Sequence, residues 1–387
     1  MVELLFVHRN RRLIRDESPG RPPRLSHSSW ALERRKERMI LSCIMFVFRR
    51  LEIGPALLHH DQAGAWERKK TLWCLFVCCR PDKSGDYVVI ENLVASHEWT
   101  LQEKLDVTLV TQCTSNNLHY LIELSTRWQG PVSVAVFTYD EDFLYTISAI
   151  FYLRFCHPSV AKHVTFHLSY PKSHAPVHPS SLVRVAQRRL VCSKWPKRGT
   201  DQIVKNYQIA NGTEYPINML RSLSMNKTTT THVFLVDVDL VPSGWLRSSF
   251  IQSVQHRSQK GNSTENSSSA PAELTAYIVP VFEIKKGLDV PWTKLGLLKA
   301  WARREARPFQ WTRCFSVCQE PTDYKRWMAL PQSQSLQVAY NVNYQPRYEP
   351  YFIGERSSLP LFDERFRQYG ANRLSQVICK STQWRGT

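Results

Sequence analysis

His232-Val233-Phe234-Leu235-Val236-Asp237-Val238-Asp239-Leu240-Val241-Pro242 is the stretch whose reading decides the fold. It opens as an apolar run rich in β-branched residues, the mark of a strand buried on both faces. Two carboxylates then stand at alternate positions, Asp237 and Asp239, before a Pro stop. In extended backbone, residues i and i+2 point the same way. Both acids are therefore expected on one side of a strand end, where open α/β sheets bind ligands. Two such acids repel unless a cation joins them, and hard oxygen donors suit Mg²⁺ or Mn²⁺. A divalent ion held there can bridge to a diphosphate. Asp-x-Asp alone also occurs where acids merely solvate a strand end, so its place closing an apolar run carries the reading.

Outward from this strand the chain alternates strand and helix. Upstream, strands are expected at 87–90, 105–111, 132–138 and 164–169. Helices are expected at 116–128, where Leu118, Leu121 and Ile122 share a face, and at 140–156, with Leu144, Ile147, Ile150 and Phe151 inside. Gly130-Pro131 stops the first of them. This β-α-β-α-β order predicts a parallel sheet with right-handed crossovers. A variable loop at 171–198 is rich in Pro, Ser and basic residues. A helix at 215–225 carries Asn218 at its front and Arg221 one turn on. Downstream come a helix at 244–256, a strand at 274–282 ending at Glu283, and a helix at 295–307. Beyond Pro308 aromatics are dense: Phe309, Trp311, Tyr324, Trp327, Tyr348, Tyr351 and Phe352. That composition suits either a carbohydrate-stacking face or an irregular aromatic core.

The 387 residues carry a net charge of +18, and residues 1–80 hold 16 Lys and Arg against 8 Asp and Glu. We read 1–85 as a basic, poorly ordered tail or signal-anchor region and 86–387 as the folded domain. A basic balance admits nucleic acid, an anionic membrane or an anionic substrate. The sequence has no zinc-ligand array, RNP-type motif or basic helix with regular aromatic interleaving, so nucleic acid is not expected as a partner. Ten cysteines and four Asn-x-Ser/Thr sequons, at Asn211, Asn226, Asn262 and Asn266, favour an oxidising secretory lumen. Cys156 and Cys192 flank one variable segment, and Cys314 and Cys318 lie four apart. These are the two pairings suggested. Apolar runs at 39–48 and 71–79 have the basic flanks of a type II anchor. As helices each spans roughly 15 Å, about half the hydrocarbon thickness of a bilayer.

Several motifs resemble a known family. They are Arg307-Pro308-Phe309, the Cys314/Cys318 pair, Pro321-Thr322-Asp323-Tyr324-x-Arg326-Trp327, Tyr348-Glu349-Pro350, and Phe362-Asp363-Glu364-Arg365-Phe366-Arg367-Gln368-Tyr369-Gly370-x-Asn372-Arg373. Upstream, Tyr215-Pro216-x-Asn218-x-Leu220-Arg221 and Val279-Pro280-Val281-Phe282-Glu283 fit the same pattern. Over roughly 86–380 the chain is similar to the β-1,4-glucuronyltransferase family of the dystroglycan glycan pathway. It is more distantly similar to the glucuronyltransferase half of the LARGE enzymes.

The resemblance implies an α/β GT-A fold, that of nucleotide-diphospho-sugar transferases: a mixed sheet flanked by helices, with a donor half at 86–285 and an acceptor half at 286–387. It implies an inverting transfer of glucuronic acid from UDP-glucuronic acid to a xylose-terminated glycan in O-mannosyl glycan synthesis, with Mn²⁺. It further implies a type II Golgi membrane protein with a lumenal catalytic domain and another Golgi glycosyltransferase as a partner. Carried onto this chain, Asp237 and Asp239 hold the metal. Thr111 and Gln112 lie by the uridine, and Asn218 and Arg221 contact the donor. Inversion needs a base on the acceptor hydroxyl, for which Asp363 is the candidate ahead of Glu364, the other being expected to pair with Arg365 or a neighbour, while Glu283, Trp327 and Glu349 are candidates for acceptor binding. Two departures stand out. Asp323 replaces an Asn of the family pattern. The family also continues past Asn372-Arg373 through a strand to a metal-binding His, whereas here the sequence is truncated relative to that pattern and no His follows His256. The expectation is a metal held by two carboxylates, diphosphate and water, with weak activity or an incomplete gene model. The alternatives are a related UDP-sugar transferase, for xylose or N-acetylglucosamine, and a catalytically inactive lumenal partner.

Overall fold

The computed structural model describes residues 6–9, 79–98, 104–139, 142–174, 190–197, 214–261, 275–331, 336, 338–368, 373, 374 and 376. The apolar runs at 39–48 and 71–78 and the sequons at Asn211, Asn262 and Asn266 lie outside these residues. Asn226 is exposed. Among the described residues no helix is long and apolar enough to cross a membrane.

The parallel core expected from the alternating pattern is present. Lys104–Thr114 (β4), Val132–Phe137 (β5) and Val164–Pro171 (β6) run side by side in parallel. Tyr120–Trp128 (α1) joins β4 to β5, and Asp142–Cys156 (α2) with Pro158–His163 (α3) joins β5 to β6. Strand β5 is buried throughout, apolar but for Ser133, whose hydroxyl is hydrogen-bonded inside. Ile217–Asn226 (α4) then carries the chain back across the sheet to Thr230–Leu235 (β7), which pairs in parallel with the opposite edge of β4. Strand order therefore reverses at β4, the switch point where open α/β sheets form their ligand crevice.

Antiparallel strands complete an eight-stranded mixed sheet in the order β2-β3-β6-β5-β4-β7-β12-β9. Here β2 is Cys79–Pro81, β3 Tyr87–Val94, β9 Ala276–Val279 and β12 Tyr351–Glu355. A second sheet holds Ala306–Pro308 (β11), Val281–Ile284 (β10), Phe6–Arg9 (β1) and Leu240–Pro242 (β8), in that order. Leu246–Gly261 (α5) packs on the core of the large sheet through Leu246 and Phe250, while Lys294–Ala302 (α6), Phe315–Cys318 (α7) and Tyr324–Ala329 (α8) pack with the small sheet.

Four elements differ from the sequence expectation. Within 1–85, Phe6–Arg9 is a strand between β10 and β8, and Cys79–Pro81 pairs with β3. Four residues of strand carry no periodicity of their own, and a partner 275 positions away (Phe6 opposite Val281) supplies the order. The strand expected at 274–282 is two strands in different sheets, broken at Pro280, which has no N–H to continue a ladder. The helix expected to reach 307 ends at Ala302. Arg304 turns left-handed (φ 57°) and Ala306–Pro308 leaves as a strand against β10. Both suggested disulfides form, Cys156–Cys192 and Cys314–Cys318.

Candidate active site

The acidic pair sits at the switch point, but its backbone is not a strand. Strand β7 ends at Leu235, and one further ladder bond runs from Val236 N–H to the Val110 carbonyl (3.0 Å). Leu240 N–H then turns back to the Asp237 carbonyl (3.0 Å), making Asp237–Leu240 a turn. The chain must leave the large sheet here because β8 belongs to the small one. Alternation every second residue therefore does not govern the pair. A quarter of the Asp237 side chain reaches solvent, whereas Asp239 is 1 % exposed.

Asp237 is the focus of a dense set of contacts. Its Oδ2 accepts hydrogen bonds from the Tyr351 hydroxyl (2.9 Å) and from Arg373 Nη2 (3.3 Å). On the other side, Arg221 Nη2 stands 3.6 Å from Oδ1. The Arg373 guanidinium lies 3.9 Å over the Tyr351 ring. Burial works against the charge of Arg373, yet Tyr351, Asp237 and Glu349 around it hold its proton more firmly than usual. Burial likewise pushes the Tyr351 phenol well above its ordinary value, so it stays a donor.

Helix α4 brings the other polar groups in. Arg221 donates to Asn218 Oδ1 (3.3 Å) and stacks 5.3 Å from the Phe362 ring. Asn218 Nδ2 donates to the backbone carbonyl of Asp363 (3.0 Å). The segment after β12 is thus fastened along α4 by its backbone and by Phe362. Asn218, Arg221 and Asp237 gather in one place, joined by Tyr351 and Arg373, which the sequence reading had not tied to Asp237. Tyr351 stood among the aromatics and Arg373 closed a motif, but nothing local tied either to Asp237, which each reaches from more than 110 positions away.

The other candidates stand elsewhere. Thr111 and Gln112 were expected just past a strand ending at 111, but β4 runs on to Thr114 and both side chains are buried within it. Gln112 Oε1 accepts from the Tyr215 hydroxyl. The side chain of Asp363 turns away from α4 onto Arg365, which binds both its oxygens and holds its carboxyl down at about 2. Glu364 pairs with Lys83 (3.3 Å). Glu283 is an ion-pair partner of Arg307 (2.7 Å) and caps Gln310 N–H. Trp327 is 0 % exposed and packs on Phe282 and Lys294, so it presents no ring face to a sugar. Of the aromatics beyond Pro308, Phe309, Tyr324, Trp327, Tyr348 and Tyr351 are core residues, whereas Trp311 is half exposed. Asp323 is the N-cap of α8. It adopts the left-handed conformation (φ 51°) and accepts from Arg326 N–H, both of which an Asn also does.

A hard divalent ion of the Mg²⁺ or Mn²⁺ kind is commonly held by one or two carboxylates, with phosphate oxygens and water completing its shell. Asp237 and Asp239 supply two carboxylates at the switch point, and Arg221 and Arg373 already stand against the first of them. Among the described residues no group of three His, Cys, Asp or Glu side chains is placed to hold a metal.

The mixed sheet with helices on both sides and acids at its switch point defines a GT-A-like glycosyltransferase. Residues 106–380 match the sequence profile of the family described as "Glycosyl-transferase for dystroglycan", and the chain belongs to that family. It is 34 % identical over 308 residues to beta-1,4-glucuronyltransferase 1 of Danio rerio, covering 76 % of this chain and 68 % of the relative. The human protein of that name is likewise 34 % identical over 303 residues, with the same coverage. Xylosyl- and glucuronyltransferase LARGE2s of Gallus gallus is 26 % identical over 283 residues, covering 72 % of this chain and 30 % of the relative. The chain is a glycosyltransferase.

Proposed function

We propose that this glycosyltransferase moves glucuronic acid from UDP-glucuronic acid to a xylose-terminated glycan of the O-mannosyl type, with inversion and with Mn²⁺. The observation that carries the reading is Asp237 at the switch point, flanked by Arg221 and Arg373, in a chain similar over three quarters of its length to proteins named for glucuronyl transfer. Asp237 and Asp239 would hold the Mn²⁺, which supplies a Lewis acid for the charge that develops on the leaving diphosphate. Arg221 and Asn218 bind the donor, since a guanidinium fork suits a phosphate or a carboxylate. Their burial excludes water from the reacting end, where electrostatic contacts are correspondingly stronger. The acceptor hydroxyl needs a base. Of the two candidates, Asp363 is taken up by Arg365 and Glu364 by Lys83, so either would have to leave its partner to serve as that base. In this reading the protein works in the Golgi lumen, anchored in type II orientation beside another glycosyltransferase, and the two disulfides suit an oxidising compartment.

The test is release of UDP from UDP-glucuronic acid, UDP-xylose and UDP-N-acetylglucosamine in the presence of Mn²⁺, followed by transfer to a xylose-terminated acceptor. Turnover of UDP-glucuronic acid alone, lost in Asp237→Asn, is the expected result. Turnover of UDP-xylose instead would move the assignment to xylosyl transfer, an activity named for the chicken relative. No turnover of any donor would leave a sugar-nucleotide fold acting as a binding partner.

A further inference from the structure

Among the large apolar side chains exposed on the described residues, Trp245, Leu288, Trp292 and Leu295 belong to two stretches that meet. Gly244 N–H donates to the Trp292 carbonyl (2.9 Å), and a Cβ on Gly244 would stand 2.8 Å from the Trp292 ring, so only glycine lets that ring lie on the chain there. Trp245 follows in the left-handed conformation (φ 61°), which a bulky residue rarely adopts, and its ring centre stands 6.5 Å from that of Trp292. The loop beneath is tied down. Arg127, in the last turn of α1, donates to the Val290 and Pro291 carbonyls (2.7 and 3.0 Å) and lays its guanidinium 4.2 Å over the Trp292 ring. Trp245 is nonetheless 62 % exposed and Trp292 46 %, so a strained backbone and a buried arginine hold two indoles out in water. A single exposed apolar residue needs no explanation, but a fixed cluster does.

The surround is cationic. Residues 285–313 hold eight Lys and Arg against two Asp and Glu. Lys285, Lys286, Lys299, Arg303, Arg304 and Arg313 are exposed, and of these only Arg303 has an ion-pair partner among the described residues, Glu305. On α6, Leu295, Lys299 and Ala302 recur at the spacing of one helix face, and all three are exposed. Indoles and leucines set among lysine and arginine match the interface of an anionic bilayer, where the rings sit at headgroup depth and each cation meets lipid charge. A sugar offers nothing to Leu288 and Leu295. A second copy packed by two-fold symmetry would set these cations against themselves.

We propose that Trp245, Trp292 and Leu295, with Lys299 and Arg304, dock the folded domain on an anionic lipid surface. The patch lies at the N-terminal ends of the parallel strands, because Arg247, two residues past Trp245, binds Asp106 near the start of β4 and the Gln129 carbonyl in the turn before β5. Asp237 lies past the opposite, C-terminal end of β7, so a docked domain keeps its crevice turned away from the bilayer.

Flotation of the full chain with vesicles of phosphatidylcholine holding about a third phosphatidylserine measures binding. Quenching of tryptophan fluorescence by bromine-labelled lipid reports contact whichever part of the chain holds it to the vesicle, and thermal unfolding is run on each variant. Wild type is expected to float and to be quenched. Trp245→Gly removes the ring and suits the left-handed backbone. It should melt like wild type, bind about tenfold more weakly and lose part of the quenching. Lys299→Gln with Arg304→Gln should weaken binding about 25-fold at low salt, with a smaller loss at high salt. Should Trp245→Gly fail to fold, the double charge variant decides by the same loss of quenching. Quenching unchanged in the deciding variant overturns the docking face, and so does a wild type that stays off the vesicles. A wild-type dimer abolished by Trp245→Gly, with no vesicle binding, overturns it in favour of a second copy.

Discussion

Acidification should weaken this fold through one buried histidine, and the effect should reach the donor site. His167 in β6 is fully buried. Its Nδ1 accepts from Asn92 N–H (3.0 Å), so its proton sits on Nε2 and is shared with Ser133 Oγ (3.0 Å). Ser133 donates to the Ser224 carbonyl (2.8 Å), and Ser224 Oγ donates to the Thr111 carbonyl (2.8 Å). The chain of bonds runs from β3 through β6 and β5 to α4 and β4, and it seats the helix that carries Asn218 and Arg221. Burial drives the His167 pKa from 6.5 down to about 4. Below pH 6.5 the unfolded chain takes up a proton that the native state refuses, so stability falls as pH falls. The slope is about 1.4 kcal/mol per pH unit and the whole effect about 3 kcal/mol, present above pH 6.5 and lost by about pH 4. The assay is the urea midpoint from pH 7.5 to 4 for wild type and His167→Gln, which stays neutral throughout. The variant should be less stable at pH 7.5, by about 1–3 kcal/mol for imperfectly satisfied partners, and its curve should be flatter by the wild-type loss. Parallel curves would refute the reasoning, because every other titrating group is shared by the two proteins.

Three further outcomes are expected. Asp106 is 2 % exposed and is held by both Arg247 Nε and Nη2 at 2.7 Å, so Arg247→Ala should cost about 3–5 kcal/mol in denaturant unfolding, and Asp106→Leu in the same chain should restore most of it. Trp327→Ala should cost about 3–5 kcal/mol as a core cavity, while Trp327→Phe should leave the acceptor KM unchanged; a raised KM with unchanged stability would return Trp327 to the acceptor site. Replacing Cys156 and Cys192 together by Ser should lower unfolding free energy by up to about 4 kcal/mol for a 36-residue separation, and an unchanged midpoint would show that the bridge constrains nothing.

The parallel core was legible because it is written in local runs. The apolar stretches of β4 to β7 and the helices between them each announce their own period, and their alternation implies the crossovers. The strands at β3 and β9 were legible but their pairing was not, and β1 and β12 were missed altogether, since each of these owes its place to distant partners. The acidic pair shows both sides of this. Its place after a buried strand was visible, but the turn from Asp237 to Leu240 was not, because Val238 continues the apolar alternation even as the backbone leaves the sheet. Trp327 and its neighbours show the same ambiguity, since an aromatic-rich stretch has one composition whether it lines a groove or fills a core. Asp363 and Glu364 follow one another in sequence, and Arg365, expected on the acid that does not serve as base, takes Asp363, while Glu364 is held by Lys83 from the far end of the domain.

Strand β12 has a bearing on how the molecule can be dissected. It comes from the part of the chain expected to serve the acceptor, yet it lies between β7 and β9. A recombinant piece ending near residue 285 would expose the hydrogen-bonding rims of both neighbours and would forfeit the tyrosine beside Asp237. Such exposed rims recruit other chains. Shortened versions are therefore expected to precipitate rather than behave as miniature donor-binding units, and protease nicks before Tyr351 should yield fragments that stay associated until denatured.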